Sequence, residues 1–303
     1  MRNPRKLRWL TIPAVVLAVG ALTACGPGPT TTTPSTSTTS SPGTTPASEQ
    51  PLPSELRDAE VNQAGGDSAF QSNVTQQLTS DQVYTYLVDV VTSADKMWSA
   101  YAANLPNGYT PDFYYEIVTA EKPISSNCVN GPVTSTYNNA FFCDKDSSTI
   151  DGITYYGSVV LPLDTFKKMW NGDVFKRQSK RSGDFGAAAI VAHEVAHSNW
   201  WDLSAQYKLP LINQPGRPRD KRNELIADCG AGVWSNTAYY QGYLEGTDVE
   251  EAVAALEAIG DSSRGGSDPH GSSAERGAAF MTGYNSGKPA DCIKAYWPGV
   301  QGG

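Results

Sequence analysis

Residues 187–197 read Ala187-Ala188-Ala189-Ile190-Val191-Ala192-His193-Glu194-Val195-Ala196-His197. The run up to Ala192 is apolar and rich in small residues, which predicts a helix entering a core rather than a solvated surface helix. Asp184, a good cap residue, marks where that helix is expected to begin. On a helix, two imidazoles four residues apart project from one face and can close on a single metal ion. Glu194, directly after the first histidine, sits beside that ion, where it can take a proton from water. The chain has three histidines in all, and two of them stand here.

A catalytic zinc site takes three protein ligands and keeps a fourth position open for water. The third ligand should come from another element folded against the first. Glu224-Leu225-Ile226-Ala227-Asp228 lies in a helical pattern from Lys221 to Tyr240, and a spacing of four puts both carboxylates on one face. Glu224 is assigned as the third ligand. Asp228 is assigned as the partner of a ligating histidine's second ring nitrogen, which orients the ring and raises its basicity. Lys221 and Arg222 lie alongside, but Leu225, Ile226 and Ala227 make the neighbourhood apolar. The last histidine, His270, falls in the loop Ser267-Asp268-Pro269-His270-Gly271. It is expected to steady an oxyanion, with ligation by His270 or Asp228 as the alternatives to Glu224. Arg276 is a further candidate, as an anchor for a substrate carboxylate.

The chain opens with a basic head, Arg2, Arg5, Lys6 and Arg8, and an apolar run from Trp9 to Ala24. That run is short for a membrane span, which needs about 20 apolar residues, and it fits a secretory signal over residues 1–24. It ends in Leu22-Thr23-Ala24-Cys25, which resembles the lipobox of bacterial lipoproteins, so Cys25 is expected to become a lipidated first residue. Loss of the four basic residues takes the net charge from −8 to −12, a sign that disfavours nucleic acid. The address implied is extracytoplasmic, with the protein held at the cell membrane by a lipid anchor.

Four cysteines remain, and in an exported protein they permit three disulfide pairings. Cys128–Cys143 would close a short loop. Cys229–Cys292 would tie the C-terminal segment to a helix near the metal site, and leaves Cys229 unavailable as a rival metal ligand.

From Gly26 to about Ser54 the chain is dominated by Thr, Ser, Pro and Gly and reads as a disordered tether. The linker is placed at residues 25–79 and the folded domain at 80–303. Ser80 can cap a helix whose apolar stripe runs from Tyr84 to Tyr101 and which Pro106-Asn107-Gly108 stops. Phe113 to Val118 and Ile150 to Leu161 read as strands, with the Cys128-to-Cys143 loop between them. Leu163 to Trp170 reads as a short helix. After a Pro-rich break from Leu209 to Pro218, helices follow from Lys221, from Thr247 with Glu250 as a capping box, from Ser273 and from Ala290. The fold class is α+β: one mainly helical domain with a small β-sheet, after a disordered lipoprotein tether.

These residues resemble the bacterial neutral zinc metallopeptidase family. The likeness runs through Ala140-Phe141-Phe142-Cys143, Asp184-Phe185, the His193-to-His197 motif, Glu224 to Trp234, Ala258-Ile259-Gly260-Asp261, His270 to Arg276 and Cys292. The Glu224-to-Asp228 arrangement is also similar to the glutamate-zincin pattern of thermolysin-like enzymes, which implies a zincin-like domain with glutamate on zinc and aspartate on a histidine. Ala196 stands where the family usually has glycine, and Ser198-Asn199-Trp200 departs from its usual continuation; both bear on pocket shape and substrate choice. The resemblance implies a Zn2+-dependent peptidase acting on a protein or peptide substrate, with Glu194 as general base. The alternatives are a cell-wall peptide amidase and a non-catalytic zinc-binding surface lipoprotein. Retention of Glu194 argues against the last, because a structural site has no use for a base.

Overall fold

The computed structural model describes residues 50–51, 53–57, 61, 78–171, 183–209, 220–259, 270–297 and 300–301, all within the unit Ser48–Gly303. The expected signal segment 1–24, Cys25, most of the tether and the break beyond Leu209 lie outside them. Strand β1 (Gln50–Pro51) pairs in parallel with β5 (Val300–Gln301), and a short helix α1 (Ser54–Arg57) follows β1. Leu56 and Val61 are buried in the same core as the later helices. The core therefore draws on residues ahead of the boundary at residue 80.

Thr79 starts the first long helix, α2 (Ser80–Asn104), by a reciprocal cap with Gln82. Such a box satisfies two donors that a helix start leaves unpaired. The cap is thus Thr79, one residue earlier than the sequence reading placed it, because only Thr79 has the matching Gln at the third helical position.

The sheet has the order β2-β4-β3, where β2 is Tyr114–Val118, β3 Phe141–Ile150 and β4 Ile153–Pro162. β2 runs parallel to β4, and β3 antiparallel to it. Asp151 and Gly152, both at positive φ (53° and 82°), turn β3 into β4, the backbone that a two-residue hairpin needs. Val159 and Leu161 enter the main core, while Val160 packs with Val118 and Val133 on the other face. β3 is absent from the pattern expected from sequence, in which the loop ends at Cys143 and a strand opens at Ile150. The register of β3 breaks between Cys143 and Ser147. There Asp146 turns inward to accept from Asn127 N–H and Ser158 Oγ, both at 2.7 Å. The bulge interrupts the alternation that would have marked a strand.

Beyond β4 the structure is helical: α3 (Leu163–Trp170), α4 (Asp184–Tyr207), α5 (Arg222–Tyr240), α6 (Asp248–Ile259), α7 (Ser273–Ser286) and α8 (Pro289–Tyr296). α4 is buried on nearly every face through Trp200, as befits a helix apolar all round and packed between others. Gly183 rather than Asp184 occupies the N-cap of α4, and Asp184 is its first helical residue.

Glycines bring α5 close to its neighbours. A Cβ on Gly232 would lie 2.0 Å from the Phe280 carbonyl oxygen, and one on Gly283 would lie 1.9 Å from that of Cys229. α5 and α7 therefore cross backbone to backbone. On the other side, a Cβ on Gly230 would meet the Ala196 methyl at 2.7 Å, so Gly230 makes room for the side chain at Ala196. Two disulfides fasten this frame, Cys128–Cys143 and Cys229–Cys292, the second joining α5 to α8. The fold is mixed α+β, mainly helical, with a small three-stranded sheet. No helix among the described residues is long and apolar enough to cross a membrane.

Candidate metal centre

His193 and His197 project from one face of α4, and their Nε2 atoms stand 3.1 Å apart. Glu224, in the first turn of α5, places Oε2 3.5 Å from His193 Nε2 and Oε1 3.9 Å from His197 Nε2. With metal–donor distances of roughly 2.0–2.1 Å, tetrahedral geometry separates ligand atoms by about 3.3 Å. The two nitrogens and the carboxylate therefore already approximate one face of a zinc tetrahedron, and the donor set fits the ion. The side chains of His197 and Glu224 are 11% and 21% exposed, against 3% for His193. The open side of the triad faces solvent.

Asp228, one helical turn beyond Glu224, is fully buried and sets Oδ1 2.8 Å from His193 Nδ1. That contact assigns the proton to Nδ1 and turns the Nε2 lone pair toward Glu224 and His197. Asp228 is held in turn by Arg276 on α7, whose Nε and Nη2 donate to its two oxygens, each at 2.7 Å. Arg276 is 2% exposed, and its Nη2 lies 3.9 Å from Glu224 Oε2. The expectation that Arg276 anchors a substrate carboxylate is corrected here: its guanidinium is buried and engaged by Asp228. No local pattern marks that role, because the partner is 48 residues away. The one signal in the sequence is that Arg276 stands next to Gly277-Ala278-Ala279, small residues suited to a close helix crossing, where a buried charge must find a carboxylate.

The electrostatics follow from this packing. Burial disfavours the ionised form of Glu224, yet His193, His197 and Arg276 hold its carboxyl well below the usual range. Burial would also depress His193, but Asp228 and then Glu224 outweigh it and push that imidazole up to about 10. Burial and the neighbouring His193 push His197 down to about 4. Arg276 offsets Asp228, and without a metal Glu224 pairs with the His193 imidazolium; a cation bound at Nε2 would displace that proton and leave Glu224 as the anionic donor. Glu194 is buried beside the triad, its carboxyl raised to about 7 chiefly by burial, against the pull of His193 and a hydrogen bond from the Phe142 backbone. β3 thus reaches Glu194 through the Phe142 backbone, and among the described residues β3 is an edge strand, paired only with β4.

Among the described residues the donors that converge here are His193, His197 and Glu224, and His270 is not one of them. His270 is half-buried, ahead of Gly271, which passes close to Leu225, and of Ser272, the cap of α7. Cys229 is bonded to Cys292 and takes no part in the metal centre.

Residues 53–294 match the model of a family described as "Putative neutral zinc metallopeptidase". Two curated relatives carry the name uncharacterized protein. YpfJ of Escherichia coli K12 is 32% identical over 166 residues, covering 50% of this chain and 52% of its own. Rv2575 of Mycobacterium tuberculosis H37Rv is 34% identical over 132 residues, covering 36% of this chain and 44% of its own. The chain spans about half the length of the curated relatives it matches. No solved structure matches it. The family match runs from α1 to α8 and includes all three converging donors, and the chain belongs to the neutral zinc metallopeptidase family.

Proposed function

We propose that the protein is a zinc-dependent peptidase that hydrolyses peptide bonds with Glu194 as general base. The observation that carries this reading is the half-open triad of His193, His197 and Glu224 with a buried carboxyl beside it. When bound, zinc supplies a Lewis acid that acidifies water toward neutral pH and polarises a carbonyl. Glu194 takes the proton of the attacking water and delivers it to the leaving amine. Asp228 keeps His193 in the tautomer that presents Nε2, and Arg276 keeps Asp228 aligned through its two-pronged contact. His270, at the entrance to α7, is assigned to steady the oxyanion. The edge of β3, unpaired among the described residues, would offer backbone groups to an extended peptide as an added strand.

Glu194→Gln preserves the shape of the side chain and removes the base. The variant should keep stoichiometric zinc by elemental analysis and lose cleavage of a peptide library by a factor of at least about 100. Cleavage at the parental rate with zinc in place would exclude Glu194 as the base.

The same reading places the protein outside the cytoplasm on a lipid anchor at Cys25, supported by the basic head, the apolar run and the lipobox-like Leu22-to-Cys25. Cys25→Ala should abolish incorporation of labelled fatty acid and move the protein from the membrane to the soluble fraction. Unchanged labelling of the variant would remove the anchor from the account.

A further inference from the structure

At the first turn of α4, away from the zinc donors, three carboxylates converge: Asp184, Asp248 at the start of α6, and Glu251 one turn along it. Each offers an oxygen, and these oxygens lie within 4.8 Å of one another. Asp184 is 7% exposed and Asp248 5%. Backbone and hydroxyl donors account for one oxygen of each group. Asp184 Oδ1 accepts from Phe185 N–H at 2.9 Å, Asp248 Oδ2 from Glu245 N–H at 2.7 Å, and Glu251 Oε1 from the Thr247 hydroxyl at 3.3 Å. Asp184 Oδ2 and Glu251 Oε2 are buried and make no well-formed hydrogen bond among the described residues, and the nearby amides of Asp184 and Phe185 only partly offset the burial of the two carboxyls.

A buried carboxylate oxygen without a partner is costly. The start of α4 supplies only about half a positive charge, against three carboxylates. The backbone is shaped around one of the two orphans, since a Cβ on Gly183 would fall 1.8 Å from Glu251 Oε2. Burial raises all three acids, Asp184 to about 7, so the cluster favours whatever neutralises it.

We infer that Asp184, Asp248 and Glu251 form a second cation site, for calcium, that clamps the start of the metal-binding helix α4 to α6. The donors are all hard oxygens, the set calcium prefers over the nitrogen and sulfur that suit zinc. Calcium–oxygen distances of roughly 2.3–2.6 Å let one ion touch oxygens as far apart as about 5 Å. The irregular geometry and the burial of the cluster disfavour magnesium, which demands a near-octahedral shell and holds its water. The site does not depend on the peptidase reading.

The test uses the full chain saturated with zinc. Terbium, a calcium surrogate, should give sensitised emission when tyrosine and tryptophan are excited. The hydroxyl of Tyr86 donates to the Asp184 carbonyl at 2.9 Å, and the Tyr86 ring lies 4.5 Å from that of Trp170. Calcium should quench that emission competitively and, at a hundredfold excess over its Kd, raise Tm by about 5 °C. Asp184→Asn combined with Glu251→Gln should abolish both effects. Asp248→Asn, milder because its amide oxygen can still accept from Glu245 N–H, should weaken calcium at least about tenfold. Emission that persists in the double variant, or a Tm indifferent to calcium, would overturn the site. Those results would show that protons or a basic side chain neutralise the cluster.

Discussion

At Arg276 the guanidinium gives both prongs to Asp228, each at 2.7 Å, and Asp228 gives one of the same oxygens to His193 at 2.8 Å. The pair is buried, so its two members do not contribute independently. Removing the arginine leaves a carboxylate in the core without its counter-charge, a change that costs about 3–5 kcal/mol in buried pairs. Part of that cost would reach the metal, because an Asp228 without its two-pronged partner is free to turn and holds His193 less firmly. Arg276→Met should therefore lower Tm and weaken zinc about 10- to 100-fold in a chelator competition. Arg276→Lys restores the charge without the two-pronged contact and should fall between. Zinc affinity at the parental value in Arg276→Met would detach Arg276 from the metal centre. The donors themselves were legible in the sequence, because each pair is local: His193 with His197, Glu224 with Asp228, both at one helical turn. The arginine was not, because the crossing of α5 and α7 is what brings it to Asp228.

Among the elements, α4 and the hairpin β3–β4 differ in how openly the sequence declares them. α4 is apolar on all sides and long. β3 is half polar, from Asp144 to Ser148, and bulged where Asp146 turns inward. Its one clear sign was Asp151-Gly152, a pair suited to a two-residue hairpin turn, and the polar run before it hid the strand. α4 also carries a pH-sensitive contact in its later turns. Asp202 Oδ2 accepts from Asp112 N–H at 2.8 Å, tying the segment ahead of β2 to the helix. Burial, with the nearby Asp112 charge, raises Asp202 to about 7 despite that hydrogen bond. In the unfolded chain the same carboxyl ionises near 4. Its contribution to stability is thus fully present below about pH 4 and is lost as pH rises toward 7. Asp202→Asn keeps an acceptor for Asp112 N–H and removes the ionisation. The variant should match the parent near pH 4 and exceed it by on the order of 1 kcal/mol at pH 8, read from urea midpoints. Protonation of the metal ligands is common to both proteins and cancels in the difference. A difference that does not change with pH would mean that Asp202 is ionised throughout.

Across the whole molecule, the two disulfides are bonded to different elements of the candidate site, one to α5 and one to β3. Cys229 follows Asp228 directly, and its carbonyl lies against Gly283 where α5 crosses α7. Its bond to Cys292 spans 63 residues and ties α5, which carries Glu224 and Asp228, to α8. Cys143 follows Phe142, whose backbone reaches Glu194, and its bond to Cys128 spans 15 residues. The pairings were accessible from spacing and compartment, but their link to the metal centre was not, because it depends on which helices cross. The chain-entropy model gives about 4 kcal/mol for the longer loop and about 3 for the shorter, as upper values. The functional consequences should differ more than the stabilities. Replacing Cys229 and Cys292 with serine should lower the urea midpoint and weaken zinc together, because the donors on α5 lose their tie to the C-terminal helices. Replacing Cys128 and Cys143 should leave zinc content intact and lower the turnover of peptide, because the strand over Glu194 loosens while the triad stays whole. Parallel urea titrations, elemental analysis and peptide cleavage on the two double variants separate the effects. Zinc loss in the Cys128/Cys143 variant, or turnover lost with zinc retained in the Cys229/Cys292 variant, would contradict a division in which α5 holds the metal and β3 places the base.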